Sequence, residues 1–252
     1  MGFEKILLIA LISLPLSFSE SVLPNSEVKL PGSRVIAQTV ESPKSKAEQL
    51  FQEGQEQLND QQYEAALNSL QEALSIYQKI QDRNGEGLTL KEIGNVYNLL
   101  GNHQEELKYQ QQSLAIALEI NNRDLEWRTR NNLGLAYYSL GDYQRGINFF
   151  EQSLDIALQI NSEEGALIVL SNLAWKYKEQ GQYAQANQYA QKQLELAQEF
   201  RNRQKEGQAL FNLGAIAYRL GDYYKAIEYH QDSLSIYQEI GDLSGEGGAL
   251  GN

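Results

Sequence analysis

The sequence predicts an all-α chain, a right-handed α-solenoid of five tandem helix-turn-helix units. Three observations predict it. Read at a stride of 40 residues, the chain lines up with itself: Leu74, Leu114, Leu154, Leu194 and Leu234 form one column, and Ile76, Ile116, Ile156, Leu196 and Ile236 another. A small-residue column runs Gly54, Gly94, Gly134, Ala174, Gly214, and a turn column runs Gln61, Gly101, Gly141, Gly181, Gly221. Register kept over five units without insertion or deletion marks a repeat architecture. The four prolines are Pro15, Pro24, Pro31 and Pro43, so residues 44 to 252 hold none. Proline removes a donor and clashes with the preceding turn, and continuous helices require its absence. Finally, apolar residues recur three and four apart, as Leu133, Ala136 and Tyr137 do, which is the signature of one buried helical stripe.

At the N-terminus, Lys5 precedes an apolar run from Ile6 to Leu16, and Ser17-Phe18-Ser19 supplies small residues at signal-peptidase spacing. The run is too short for a bilayer, which needs about 20 residues, but has the length of a signal h-region. Residues 1–19 are expected to be a signal peptide cleaved before Glu20, which places the chain outside the cytoplasm. Glu4 weakens the pattern by cancelling Lys5, and the alternatives are an uncleaved membrane anchor and an ordinary buried segment. Residues 20–46 lack periodicity and carry three of the prolines among Ser, Glu and Val; they read as a disordered linker.

The solenoid is expected over 47–240, with units at 47–80, 87–120, 127–160, 167–200 and 207–240. In the third unit the first helix spans residues 123 to 139. Gly141 suits a left-handed closing residue and Asp142 a cap for the second helix. The second helix runs to about Ile160, with Ile147, Phe150, Leu154, Ile156 and Ile160 facing inward. Polar segments such as Asp82-Arg83-Asn84-Gly85 and Asn161-Ser162-Glu163-Glu164 read as the loops between units. Each unit buries its apolar face only against its neighbours, so the units stack. Residues 241–252 start a sixth unit, Gly245-Glu246-Gly247 echoing Gly85-Glu86-Gly87, and end before its Leu-Gly core. That leaves the helix over 222–240 without a covering first helix. Its Tyr224, Ile227, Ile236 and Tyr237 are expected to mediate self-association, most simply as a homodimer.

A net charge of −12 argues against nucleic acid, whose phosphates demand Lys and Arg. With no cysteine, disulfides and thiolate chemistry are excluded. The two histidines, His103 and His230, are far apart and occupy columns otherwise held by bulky residues, so each reads as packing; no metal or cofactor is expected. No catalytic constellation is present in the pattern.

The strings Asn132-Leu133-Gly134-Leu135-Ala136-Tyr137 and Gly141-Asp142-Tyr143, followed by Ile147 and Leu154, resemble the tetratricopeptide repeat, as do Leu213-Gly214, Gly221-Asp222-Tyr223, Ala226 and Leu234. Two features depart from the usual pattern. The usual period is 34, and the proline that commonly ends the second helix is replaced by Gln78, Leu118, Leu158, Gln198 and Gln238. Loss of that stop is expected to lengthen the second helix and account for the longer period. The long form is similar to repeats of Pins-type modulators and of bacterial, especially cyanobacterial, arrays, where such an array often precedes a caspase-like CHAT peptidase domain; the sequence holds no part of one.

The resemblance implies a concave groove of first helices that holds an extended peptide. Its groove positions fall on Lys91, Glu92 and Asn95 in the second unit and Arg128, Asn131, Asn132, Leu135 and Tyr138 in the third. The fourth unit adds Asn172, Trp175, Lys178 and Glu179, and the fifth Phe211, Asn212, Tyr218 and Arg219. Asn132, Asn172 and Asn212 form a column whose amides can both donate to and accept from a peptide backbone. Lys91, Asn95 and Asn132 match part of the family's carboxylate clamp, but its two remaining positions hold Ile168 and Asn172 in place of cations. The groove has four basic residues against two acidic ones, a mild bias toward acidic or polar peptides. The function expected is a non-enzymatic protein- or peptide-binding scaffold. The alternatives are a self-associating assembly module and the regulatory N-terminal part of a longer protein.

Overall fold

The computed structural model describes residues 42–250. The signal peptide and most of the linker expected over 1–46 lie outside the described residues. Among those described there are eleven helices and no strand. The first ten form five pairs: α1 Pro43–Asn59 with α2 Tyr63–Lys79, α3 Arg83–Leu99 with α4 His103–Glu119, α5 Arg123–Ser139 with α6 Tyr143–Gln159, α7 Glu163–Glu179 with α8 Tyr183–Glu199, and α9 Arg203–Arg219 with α10 Tyr223–Ile240. A short α11, Leu243–Leu250, follows.

Each connection from α1 to α10 has three residues with a left-handed middle residue, and the two-residue connection to α11 begins with a left-handed Gly241. Inside units these are Gln61, Gly101, Gly141, Gly181 and Gly221; at the joints they are Gln81, Asn121, Asn161, Arg201 and Gly241. The third residue caps the helix that follows: Asp82 accepts from Gly85 N, Asn102 from Glu105 N, Asn122 from Leu125 N and Asp142 from Arg145 N. Gln62 and Gln182 make no such side-chain bond. The 40-residue period is therefore two near-equal helix-and-turn blocks, and the joints between units are built like the turns within them.

This corrects the reading of the joints. Arg83, Asn84 and Gly85 were expected in a loop, but they form the first turn of α3, because Asp82 caps at Gly85 and Gln81 has already closed α2. First helices accordingly begin four residues before the expected unit bounds, at 83, 123, 163 and 203, and α5 has the bounds expected of the third unit's first helix. The extra length does not belong to the second helix alone, since both helices of units one to four have 17 residues. At the other end α1 reaches back to Pro43, inside the expected linker. Ser42 caps it by accepting from Ser45 N, and proline is tolerated in a first turn whose N–H groups are unpaired.

Each helix packs on the next along the chain. First helices also touch their counterparts one unit away (α1 with α3, α3 with α5, α5 with α7, α7 with α9), whereas no second helix touches the next second helix. The array thus curves with its first helices on the inner side. This is an α-solenoid, as the sequence register predicts.

Within a unit the two helices approach most closely at the small-residue column. A Cβ added at Gly54 would lie 2.7 Å from Leu70, at Gly94 2.5 Å from Gln110, at Gly134 2.7 Å from the Phe150 ring and at Gly214 2.8 Å from His230. The fourth unit meets the same need differently, with Ala174 and Ala190 both buried in one cluster. Nearby, Ser113, Ser153 and Ser233 donate across the pair to the carbonyls of Gly87, Trp127 and Gly207. An arginine staples the open end of three units. Arg83 donates to Glu86 and Glu119, Arg123 to Glu126 and Gln159, and Arg203 to Glu206 and Glu239. The carboxylates of Glu86, Glu126 and Glu206 are buried, and the arginine, together with Gln78, Arg130 and Gln198 respectively, offsets that burial.

The end of the array also differs from expectation. Ile236 and Tyr237 are buried, not presented to a partner: Tyr237 lies against Gly207 of α9 and Gly245 of α11, which packs on α10. Tyr224 and Ile227 remain exposed.

Gly134→Ala is expected to destabilise the array by about 1–3 kcal/mol, because the Phe150 ring has no room to yield. In a Phe150→Ala background, which imitates the Ala174–Ala190 pair, that penalty should fall to within about 0.5 kcal/mol, the scatter of independent sites. Denaturation followed by circular dichroism on the four proteins of the cycle checks this; equal penalties in both backgrounds would contradict it.

Candidate functional site

The inner surface of α5, α7 and α9 carries three adjoining cavities, and Trp175 lines all three. The largest, 760 Å³, is bounded by Tyr138, Tyr143, Trp175, Lys178, Glu179, Gln180, Tyr183 and Arg219. A second of 380 Å³ is bounded by Ser171, Asn172, Trp175, Gln208, Phe211, Asn212, Tyr237, Gly245 and Gly248. A third of 370 Å³ is bounded by Trp175, Lys178, Phe211, Ala215, Tyr218, Arg219 and His230. Nine of the sixteen groove residues expected from the resemblance therefore meet around one indole: Tyr138, Asn172, Trp175, Lys178, Glu179, Phe211, Asn212, Tyr218 and Arg219.

Helical spacing explains the convergence. Trp175 and Lys178 lie one turn apart on α7, and Phe211, Ala215 and Tyr218 follow one stripe of α9. Trp175 is 41% exposed and is held by a bond from its Nε1 to Glu179 Oε1 at 2.9 Å. The Lys178 ammonium lies 3.4 Å from the centroid of the Trp175 ring, and burial lowers its pKa. Lys176 instead pairs with Glu179 at 3.1 Å and lies over the Tyr138 ring. Tyr138 donates to the Lys176 carbonyl, which joins α5 to α7.

The other seven residues are committed elsewhere, Leu135 against the apolar core. Lys91 pairs with Glu92 at 2.6 Å. Asn95 donates to Glu92 and accepts from Gln110 and Asn132. Arg128 stacks on the Trp127 ring and pairs with Asp124 and Glu164. Asn131 is buried and accepts from Asn172 at 2.8 Å. The asparagine column thus acts as an inter-unit ladder: Asn132 donates to Asn95, Asn172 to Asn131, and Asn212 to Ser171 at 3.5 Å. Asn172 and Asn212 nevertheless also line the second cavity. Of the residues expected to self-associate, Tyr224 and Ile227 stand on the exposed side of α10, next to exposed Leu220 and Tyr223.

Sequence reasoning missed the contribution of the second helices. Tyr143 and Tyr183 open α6 and α8 and lean into the largest cavity, Tyr143 within 4.6 Å of the Tyr138 ring. Their column (Tyr63, His103, Tyr143, Tyr183, Tyr223) is visible in the register. His230 was read as packing, and it does pack, on Gly214 and edge-on to Phe211 at 5.4 Å. It also floors the third cavity, its Nδ1 buried without a hydrogen-bond partner. A further cavity of 670 Å³ lies by the turn at Gly141. Its one charged residue, Asp142, is occupied in capping α6 and pairing with Arg145.

A family model described as tetratricopeptide repeat matches residues 56–119 and 128–199, and a second of the same description matches 208–240. No curated protein matches the sequence. Among solved structures, the array is similar to BtubC (BKLC) from P. vanneervenii, with a TM-score of 0.71 and 18% identity over 79% of this chain and 83% of that one. It is also similar to aspartyl phosphate phosphatase F from Bacillus subtilis, with a TM-score of 0.73 and 21% identity over 80% of this chain and 53% of the other. A Rap protein complexed with Competence and Sporulation Factor gives a TM-score of 0.64 and 18% identity over 84% and 63%. At these identities the likeness is one of fold.

His230→Phe would reproduce at Gly214 the Gly134–Phe150 pair of the third unit. Removing the unpaired Nδ1 is expected to stabilise the array by about 1 kcal/mol. Burial holds the imidazole below its ordinary value. As pH falls below about 6.5 the unfolded chain takes up the proton first, so wild type loses stability until the lowered folded value is passed. Melting curves from pH 7.5 to 5 should show the gap between the two proteins widening with acid; a constant gap would contradict this.

Proposed function

The chain belongs to the tetratricopeptide repeat family, and on that premise we propose that it is a non-enzymatic scaffold holding an extended peptide segment of a partner protein along α5, α7 and α9. The repeat is a protein-interaction module; the choice of this stretch rests on one observation, that Trp175 is shared by three adjoining cavities. A half-exposed tryptophan ringed by Tyr138, Phe211 and Tyr218 is the kind of anchor on which binding energy concentrates. Asn172 and Asn212 supply amides on one side and Lys178 and Arg219 charge on the other. The likeness to a Rap protein complexed with Competence and Sporulation Factor supports this use of the fold.

We place this activity outside the cytoplasm, on the strength of the apolar run from Ile6 to Leu16 and the Ser17-Phe18-Ser19 that closes it. N-terminal sequencing of the protein from an extracytoplasmic fraction should begin at Glu20; a cytosolic chain beginning at Met1 would contradict export. A second reading, homodimerisation, is favoured by the exposed Leu220, Tyr223, Tyr224 and Ile227 at one end of the array. Sedimentation of wild type against Ile227→Asp separates the two.

Partner capture from an extracytoplasmic fraction tests the groove. Trp175→Ala should weaken a captured partner by about 2 kcal/mol or more, the size of a hot-spot loss, with its helical spectrum unchanged. Tyr224→Ala, on α10, should leave capture intact. Equal capture by wild type and Trp175→Ala would move the site elsewhere.

A further inference from the structure

In a chain with 33 acidic and 21 basic residues, most cations around the groove are already answered. Lys91, Arg128 and Lys176 each pair with a carboxylate. Lys178 and Arg219 do not. Among the described residues neither forms an ion pair, yet they reach the same cavity from neighbouring helices. Glu179, the carboxylate on that cavity wall, already accepts from the Trp175 indole and from Lys176.

Lys178 is also held in an unusual way. Its ammonium sits on the face of Trp175, a ring attraction that replaces only part of the water lost on burial. An incompletely solvated cation gains more from an anion than a fully hydrated surface lysine does. Arg219, at the end of α9, adds a planar fork suited to a carboxylate. Both residues lie beyond the positions where the family's clamp would fall, at Lys91, Asn95, Asn132, Ile168 and Asn172.

We infer that the cavity between Trp175 and Arg219 is a carboxylate pocket, which selects a partner peptide by seating one of its carboxylates between Lys178 and Arg219. Trp175 separates this pocket from the cavity lined by Asn172 and Phe211, which receives the adjoining residue. The inference rests on the groove reading and adds the chemistry of the segment that fits it. The carboxylate can belong to an aspartate or glutamate side chain or to a peptide C-terminus.

Random 12-residue peptides displayed internally, and in parallel with free C-termini, are panned on wild type, Trp175→Ala and Lys178→Met/Arg219→Met, each first checked by circular dichroism. Wild type should enrich peptides with an acid at one fixed position, or with the carboxylate at the C-terminus. For the best synthetic peptide, replacing Glu by Gln, or the terminal acid by its amide, should weaken binding about tenfold. The double variant should bind the charged and uncharged versions alike. Which replacement matters identifies the source of the carboxylate. Enrichment without a fixed acid, lost in Trp175→Ala, would overturn the carboxylate pocket and leave the groove reading standing. No enrichment on wild type would overturn both.

Discussion

A three-residue turn with a left-handed middle residue, repeated every 20 residues from Gln61 to Gly221, is the constraint on which the array depends. It ends each helix after about 17 residues and starts the next in a fixed phase, so the same stripe of every first helix faces inward. Glycine takes that conformation freely at 101, 141, 181 and 221, but Gln81, Asn121, Asn161 and Arg201 hold it at the joints, at a cost of about 1–2 kcal/mol each. The joints keep this strain because both flanking helices are locked. A side chain at 82, 122, 162 or 202 caps the following helix, and the preceding one is packed on both sides.

Given that phase, two polar systems divide the labour. Arginines at 83, 123 and 203 close the open end of three units over buried carboxylates that Gln78, Arg130 and Gln198 also bond. The asparagine ladder runs along the inner wall and ties each first helix to the preceding one. Cations spent in this way are unavailable to a partner. In a chain of net charge −12 the few that are left over become informative about what a partner must carry.

The wall is consequently not uniform. Around α3 and the middle of α5 it is closed by Glu92, Asn95, Gln110 and Asn132, which bond to one another. Toward α7 and α9 the ladder weakens: Asn212 reaches Ser171 and Gln193 only at 3.5 Å, and aromatic rings and two free cations take over. The same column of asparagines thus reads as adhesive between units at one end and as part of a cavity wall at the other.

Much of this was legible in the sequence because the period repeats without a gap. The helix pairs follow from helical spacing in a known register, and the resemblance to the repeat family implied the nine groove residues that meet at Trp175. The joints were misread because Arg83, Asn84 and Gly85 look like a loop by composition; whether a first turn forms there depends on Asp82 capping it and on Gln81 accepting a left-handed backbone. Burial of Ile236 and Tyr237 escaped notice for a related reason, since eight residues beyond a turn can cover a helix without completing a unit. The sequence alone determined the repeat, its period and the buried stripe of each helix, since these follow from local spacing of apolar and small residues. Only the tertiary structure decided which groove residues are spent on neighbours and which are free, because a side chain's hydrogen-bond partner lies some 40 residues away across a helix contact that no local pattern encodes.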